Sequence, residues 1–200
     1  MAAIEAAAED KTVEYIVSSG HDKTAIVYNV TMGQIAATLS GAWGDVIAVH
    51  GMALADALLI AAGSADGAVR LYSVPLSGDD EPTLLGSAEM SKDAPVSVTV
   101  HPSSTSADAR VLVASSEGMI GIFKCASADG EEGELTLITR LESEAEGFTS
   151  GCMHPDGLIY IAGTTDGSVV IWDLKTQKVA GKAGSVIVTV TLPMTTESCI

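Results

Sequence analysis

A repeat of 44 to 51 residues is the feature that most constrains how this chain can fold. Four segments share a pattern of small residues, an acidic residue near a turn, and an alternating strand that closes on an aromatic ring. The spacing is close to the roughly 40–45 residues of a four-stranded propeller blade, and acidic insertions at 77–82 and 129–134 explain the longer gaps. The segments begin at Ser19, Gly63, Ser115 and Gly163, and their closing rings are Tyr28, Tyr72, Phe123 and Trp172.

Short β-rich runs fall within each period where the strands of a blade belong, so the sequence predicts an all-β repeat protein. Asp-Gly turns within 65–67 and 165–167 join the second and third strands as tight hairpins, because Gly tolerates a positive φ. Only the Ala-rich first ten residues allow a short helical turn. We expect a tail at 1–11, blades at about 12–41, 42–90, 91–141 and 142–184, and at 185–200 either the start of a further blade or an aberrant C-terminal tail. The first blade is expected to lack its innermost strand.

The composition narrows the classes of function. The net charge of −16 opposes direct contact with nucleic acid, which normally requires a basic surface. Three cysteines without paired spacing give neither a disulfide framework nor a zinc cluster. The acidic N-terminus and the interrupted apolar run at 46–62 predict no signal peptide and no membrane span, so we expect a soluble intracellular protein.

Catalytic interpretations find little support in the sequence. His101-Pro102 and His154-Pro155 recur at one place in the repeat, and His50 aligns with them, which favours a turn role over metal binding. Cys152 and His154 share one face of an extended strand, but no third group is evident to orient them as a nucleophile and its base. We therefore predict no catalytic residue, no metal site and no cofactor.

Two further sets of residues recur at fixed positions in the repeat, one with an expected structural role and one with an expected binding role. A large ring at one place in each blade fills the wedge between neighbouring sheets, so a structural role is expected for the four closing rings and for Asp173 beside the last of them. Turn residues that recur near one end of successive blades would line one face, where repeat proteins bind partners. This predicted partner-binding set consists of Lys23, Asp66, Arg70, Glu117 and Asp166.

Four pieces of the chain, at 34–41, 68–75, 154–167 and 171–180, carry a resemblance to a known family. The Ser-Val-Pro at 73–75 and the run at 154–159 are their most specific parts. On these pieces the chain resembles a WD-repeat β-propeller, and within that class it is similar to the first part of the C-terminal propeller of the pre-mRNA-processing factor 19 family. The network of Asp, His, Ser or Thr, and Trp that is usual in such repeats would here contain Asp166 and Trp172 without the His.

The resemblance implies a nuclear scaffold for proteins of the spliceosome and for ubiquitination substrates, with a link to DNA repair. It also implies a ring of seven blades, of which about four are seen here, and a U-box and an oligomerising coiled coil in regions that we expect to be absent from this chain. Whether the protein is a ubiquitin transferase is therefore left open. The alternative is an unrelated WD-repeat adaptor or a ribosome-assembly scaffold.

Overall fold

The computed structural model describes residues 1–8, 11–42, 44–77, 80–90, 94–125, 133–141, 144 and 146–184. Every regular element within these ranges is a β-strand, which confirms the all-β prediction. The sixteen described strands form four antiparallel blades in chain order. The predicted C-terminal segment at 185–200 and most of the insertion at 129–134 lie outside the described residues.

The structure of blade 1 differs from the sequence prediction at the N-terminal end. The first residues form a strand instead of a tail or a helical turn, and this strand pairs antiparallel with the next one from Ala2↔Val17 to Ala8↔Lys11. It is the innermost strand that the first blade was expected to lack. The pairing buries Ile4 and Ala6 against blade 2, which outweighs the low β-propensity of the Ala-rich sequence. The strands are β1 (Ala2–Ala8), β2 (Lys11–Ser19), β3 (Ala25–Asn29) and β4 (Gln34–Leu39).

Blades 2 and 3 share one eight-stranded sheet. Their outermost strands meet in a short parallel pairing, Gly133↔Gly86 and Glu134↔Ser87. A Cβ on Gly86 would lie 2.8 Å from the Gly133 carbonyl oxygen, so this close approach requires glycine. Blade 2 contains β5 (Val46–Ala53), β6 (Ala57–Ser64), β7 (Ala68–Pro75) and β8 (Thr83–Glu89), and blade 3 contains β9 (Pro95–Val100), β10 (Ala109–Ser115), β11 (Ile120–Cys125) and β12 (Gly133–Leu141).

Blade 4 completes the described chain with a separate four-stranded sheet. Its two middle strands alternate between buried and less buried residues, as expected when one face of a sheet packs against a neighbour. They are β13 (Phe148–Met153), β14 (Ile159–Thr164), β15 (Val169–Asp173) and β16 (Lys178–Ala183).

The innermost strands β1, β5, β9 and β13 lie side by side around a central cavity of about 330 Å³. Each junction between consecutive blades holds its own apolar cluster. One cluster joins blades 1 and 2, a second joins blades 2 and 3, and a third joins blades 3 and 4. The core is therefore divided among the junctions between blades, as in a propeller.

The closing aromatic rings occupy these junctions unequally. Tyr72, Phe123 and Trp172 are buried against the blade that precedes their own. Tyr28 is 39% exposed, because no described blade precedes blade 1. Among the described residues, the expected wedge is therefore filled by the ring at three of the four repeats.

Candidate protein-binding face

The turns between the second and third strands of the four blades lie at one end of the molecule. We call this end the turn face and define it by residues 20–24, 65–67, 116–118 and 165–167 together with the connections between blades that contact them. Backbone hydrogen bonds tie each turn to such a connection: Val46 N to Gly20 O (3.2 Å), Ala65 N to Asp45 O (2.8 Å), Ser116 N to Ala94 O (3.0 Å) and Thr165 N to Gly147 O (3.0 Å). The four turns thus form one continuous surface.

Two of the predicted residues, Asp66 and Asp166, build the turns in which they lie. The Asp66 carboxylate accepts hydrogen bonds from the Ser64 hydroxyl and from the Ala68 amide, the latter at 3.0 Å. Asp166 accepts equivalent bonds from the Thr164 hydroxyl and from the Ser168 amide, the latter at 2.9 Å. The glycine after each Asp has a φ above +80°, a conformation that favours glycine. The Asp66 side chain is only 20% exposed and that of Asp166 is 53% exposed, and both carboxylates fix the turns in which they lie.

These contacts also set the charge of Asp166. The hydrogen bond from the Thr164 hydroxyl, followed by the bonds from Ser168, lowers the pKa of Asp166 to about 2, and the Lys182 ammonium 3.7 Å away adds to the effect. The carboxylate is therefore ionised at every physiological pH.

Arg70 differs from the prediction that it forms part of the surface. Arg70 is only 7% exposed, and its guanidinium donates hydrogen bonds to the Ser64 hydroxyl at 2.8 Å and to the Asp66 carboxylate at 3.4 Å. The bonds hold Arg70 inside blade 2 and neutralise part of the turn's charge. A partner would meet it only at the wall of a groove of about 770 Å³, which Asp66, Glu89 and Glu134 also line.

Lys23 and Glu117 are the members of the set that project without an internal role. Both are exposed, and neither has an ion pair or a side-chain hydrogen bond among the described residues. Lys23 has a φ of +65°, which is uncommon for a residue with a side chain and gives the first turn a shape different from the other three. These two side chains are the free part of the predicted set.

Sequence reasoning missed further charges on the turn face. The repeat pattern selected single positions within the turns. One of the missed charges lies elsewhere in the first turn, and the other three lie in the connections that fold back against the turns. Together with the predicted acids they make the face predominantly acidic. A search of the connections for charge would have found them. They are Asp22, Asp45, Glu144 and Glu146.

His21 is exposed to solvent, and it also contacts the connection between blades 1 and 2. Its Nδ1 lies 2.6 Å from a carboxylate oxygen of Asp45. The hydrogen bond and the charge of Asp45 raise the pKa of His21. This pair links the first turn to the connection between blades 1 and 2.

The remaining histidines and the strand cysteine are arranged for structure. Burial raises the pKa of the Cys152 thiol, which is the opposite of what a nucleophile requires, and the Nδ1 of His154 lies 2.9 Å from a carboxylate oxygen of Asp156 in its own turn. His101 accepts a hydrogen bond from the Ser103 amide. No cluster of potential metal ligands is found within the described ranges. Nor do those ranges contain a helix long and apolar enough to cross a membrane.

The Trp-Asp pair at the end of β15 is part of the scaffold of blade 4. Trp172 is fully buried, with its ring 5.6 Å from that of Phe148 and 6.3 Å from that of Tyr160. Asp173 accepts hydrogen bonds from the amides of Lys175 and Thr176, which form the turn before β16. The backbone bond from Thr176 is the main cause that lowers the pKa of Asp173.

Comparison with known proteins agrees with this geometry. The family model of the WD domain, G-beta repeat, matches residues 136–173, which extend from β12 of blade 3 to the end of β15. The chain is 32% identical over 165 residues to pre-mRNA-processing factor 19 homolog 2 of Arabidopsis thaliana, covering 82% of this chain and 29% of that protein. This chain contains a WD-repeat region like that of pre-mRNA-processing factor 19.

Relatives from other organisms match a similar share of the chain. Pre-mRNA-processing factor 19 of Oryza sativa subsp. japonica is 31% identical over 172 residues, or 84% of this chain and 30% of the relative. The protein of that name from Bos taurus is 29% identical over 162 residues, or 80% of this chain and 29% of the relative. The chain thus spans less than a third of the length of these relatives. As a WD-repeat scaffold it is suited to protein–protein interaction.

Proposed function

We propose that this chain is a protein-docking module that acts in the nucleus, in pre-mRNA splicing and in the ubiquitination of bound partners. The observation that carries the proposal is the continuous turn face, built on a WD-repeat region similar to proteins named pre-mRNA-processing factor 19. Repeat proteins commonly bind partners on the face where residues at one repeat position align. The roles in splicing and ubiquitination come from the family resemblance.

The charge of the turn face indicates which partners it would accept. The described part of the turn face carries the exposed acids Asp22, Glu117 and Glu146 in its turns and connections, and Lys23 projects from the first turn. Such a surface attracts segments rich in Lys or Arg and repels acidic ones, so it would guide association and select partners more than it would set the affinity. We therefore expect basic segments of splicing proteins to bind there.

The test is affinity purification of the full chain from nuclear extract, with bound proteins identified by mass spectrometry. Glu117→Lys with Glu146→Lys reverses two turn-face charges that make no side-chain hydrogen bond in the described structure. The matched control is Asp56→Lys with Glu81→Lys, which makes the same change in net charge at the opposite end of the blades. We expect the first variant to lose captured splicing proteins by about tenfold and the control to retain them.

Other outcomes would contradict the proposal in identifiable ways. Equal capture by both variants would remove the turn face as the docking surface. Capture of ribosome-assembly factors in place of splicing proteins would favour the alternative scaffold. Transfer of ubiquitin by the 200-residue chain itself, supplied with a charged conjugating enzyme, would show that the chain does more than bind.

A further inference from the structure

An open groove lies at the outer strands of blades 2 and 3, next to the turn face. Its volume is about 770 Å³, and its walls come from the turn before β7, the start of β7, the end of β8 and the start of β12. The two described pairs that join β8 to β12, Gly133↔Gly86 and Glu134↔Ser87, bring Glu134 to this place. We call this cavity the blade 2 groove. Its polar lining residues are Asp66, Arg70, Ser87, Glu89 and Glu134.

The register of the repeats shows why the groove is open at blade 2. In every blade, the residue two places before the closing ring pairs with one residue of the outermost strand, and a register shift follows at the same place. This position of the outermost strand therefore holds a long cation in blades 3 and 4 and a short hydroxyl side chain in blades 1 and 2. The pairs are Ile26↔Thr38, Arg70↔Ser87, Gly121↔Arg140 and Val170↔Lys182.

Blade 4 shows what the equivalent space accommodates. The Lys182 ammonium lies 3.7 Å from a carboxylate oxygen of Asp166, the turn residue that corresponds to Asp66. In blade 2 the outermost strand offers Ser87 instead, and both Ser87 and Asp66 line the open groove. The space that a lysine side chain of the chain itself fills in blade 4 is thus open to a side chain from outside in blade 2.

The charge of the blade 2 groove favours a cation. Arg70 is engaged within its own blade, because its guanidinium donates to the Ser64 hydroxyl at 2.8 Å and to the Asp66 carboxylate at 3.4 Å. Glu89 and Glu134 are exposed, and neither has an ion pair among the described residues. Three carboxylates against one guanidinium leave the lining with an excess of negative charge, which attracts cations and repels anions.

We propose that the blade 2 groove receives a lysine side chain of a partner protein, with its ammonium between Glu89 and Glu134 and beside Asp66. This inference rests on the docking function proposed above and names the place where a basic segment is held. The apolar stem of the lysine would lie along Ala68 and Ala88, which also line the groove. Lysine is favoured over arginine because Lys182 is the cation that contacts the turn acid in blade 4.

The first test is zero-length cross-linking of the full chain in nuclear extract. A water-soluble carbodiimide joins a carboxylate to an amine that contacts it, and mass spectrometry identifies the two linked residues. We expect cross-links from Glu89 or Glu134 to a lysine of a captured protein. Cross-links to partners that come only from other acids of the turn face, such as Glu117 and Glu146, would overturn the proposal.

A variant that fills the groove tests the same contact by competition. Ser87→Lys supplies the cation from the chain itself, as Lys182 does in blade 4, and should reduce capture of the cross-linked partner about tenfold. The matched control is Thr38→Lys, which adds the same charge at the same repeat position of blade 1 and should leave capture unchanged. Equal capture by the two variants would contradict the proposal.

A second variant keeps the test valid if Ser87→Lys does not give the circular dichroism of the unaltered chain. Glu89→Gln with Glu134→Gln removes two charges and preserves the shape of the groove, and it should also reduce capture about tenfold. Unchanged capture by this variant would overturn the pairing. Reduced capture without any cross-link from Glu89 or Glu134 to a lysine would overturn the choice of lysine and indicate an arginine.

The outcomes also separate this inference from the proposed docking function. If Glu117→Lys with Glu146→Lys loses the splicing proteins whereas the groove variants retain them, docking on the turn face stands and the blade 2 groove is excluded as a lysine site. If neither the turn-face variant nor the groove variants lose any captured protein, both proposals fail.

Discussion

Trp172→Ala tests whether the wedge between blades 3 and 4 is what stabilises the last blade. The Trp172 side chain is fully buried and contacts the rings of Phe148 and Tyr160. Removing a buried Trp typically costs about 3–5 kcal/mol, and aromatic pairs contribute about 0.5–1.5 kcal/mol each beyond their buried area. We therefore expect a loss near the upper end, about 4–5 kcal/mol. That is a large part of the roughly 5–15 kcal/mol by which domains are stable.

The matched control is Tyr28→Ala, a truncation at the same repeat position of blade 1. Because Tyr28 is 39% exposed, its removal should cost about 1 kcal/mol or less. Urea unfolding followed by far-ultraviolet circular dichroism suits both variants, since this signal does not depend on Trp172. The measurement is made on dilute protein, so that any self-association does not add to the stability of the unaltered chain.

The comparison has clear outcomes. A midpoint that decreases strongly for Trp172→Ala with an unchanged slope reports lost stability of the whole unit, whereas a reduced slope reports separate unfolding of blade 4. Equal losses in the free energy of unfolding for Trp172→Ala and Tyr28→Ala would refute the inference that the Trp172 ring stabilises the junction between blades 3 and 4. A loss below about 1 kcal/mol for Trp172→Ala would refute it as well.

Three further perturbations have outcomes set by single contacts. Tyr72→Phe removes the hydroxyl that donates to the Ser40 carbonyl at 2.7 Å, and should cost about 0.5–1.5 kcal/mol in urea unfolding. Gly147→Ala would place a Cβ 2.3 Å from a backbone carbonyl oxygen of the β10–β11 turn and should cost about 1–3 kcal/mol of stability. The control Gly181→Ala places its Cβ in open space and should change stability by about 0.5 kcal/mol at most. Equal effects of the two variants on stability would contradict this reasoning. Because the pKa of Asp166 falls from 3.8 to about 2 on folding, its ionised form stabilises the protein above pH 4, and the stabilisation is lost as the pH falls toward 2. Asp166→Asn should thus be less stable than the unaltered chain at pH 7, with a difference that disappears by about pH 2; a constant difference measured by thermal unfolding would contradict the sign.

The fold could be predicted from sequence because its signals are local and repeated. The Asp-Gly turns at 65–67 and 165–167 need only a positive φ at glycine, and alternating strands on each side need only one buried face. The missed strand β1 is the counterexample. Its Ala-rich sequence has no strong preference for a strand, and the strand forms because β2 and blade 2 offer a place to bury Ile4 and Ala6.

The candidate site was only partly accessible to sequence reasoning. Lys23 and Glu117 lie exposed on the turn face, as the repeat pattern suggested. Arg70 lies in the same pattern but is buried, because Ser64 and Asp66 provide acceptors for its guanidinium. The acids of the connections, such as Glu146, reach the face only through the way in which each blade leads into the next. No short sequence window contains that information.

The four closing rings show most directly what the sequence determined and what the tertiary structure determined. The sequence by itself placed Tyr28, Tyr72, Phe123 and Trp172 at equivalent positions and identified the repeat. It could not distinguish the burial of Tyr28 from that of Trp172, since both rings lie near the end of the third strand of a blade. Only the tertiary structure decided that Trp172 is fully buried and Tyr28 is 39% exposed. The reason is that burial of a sheet face depends on a second sheet, and the strand that carries the ring does not encode which neighbour will cover it.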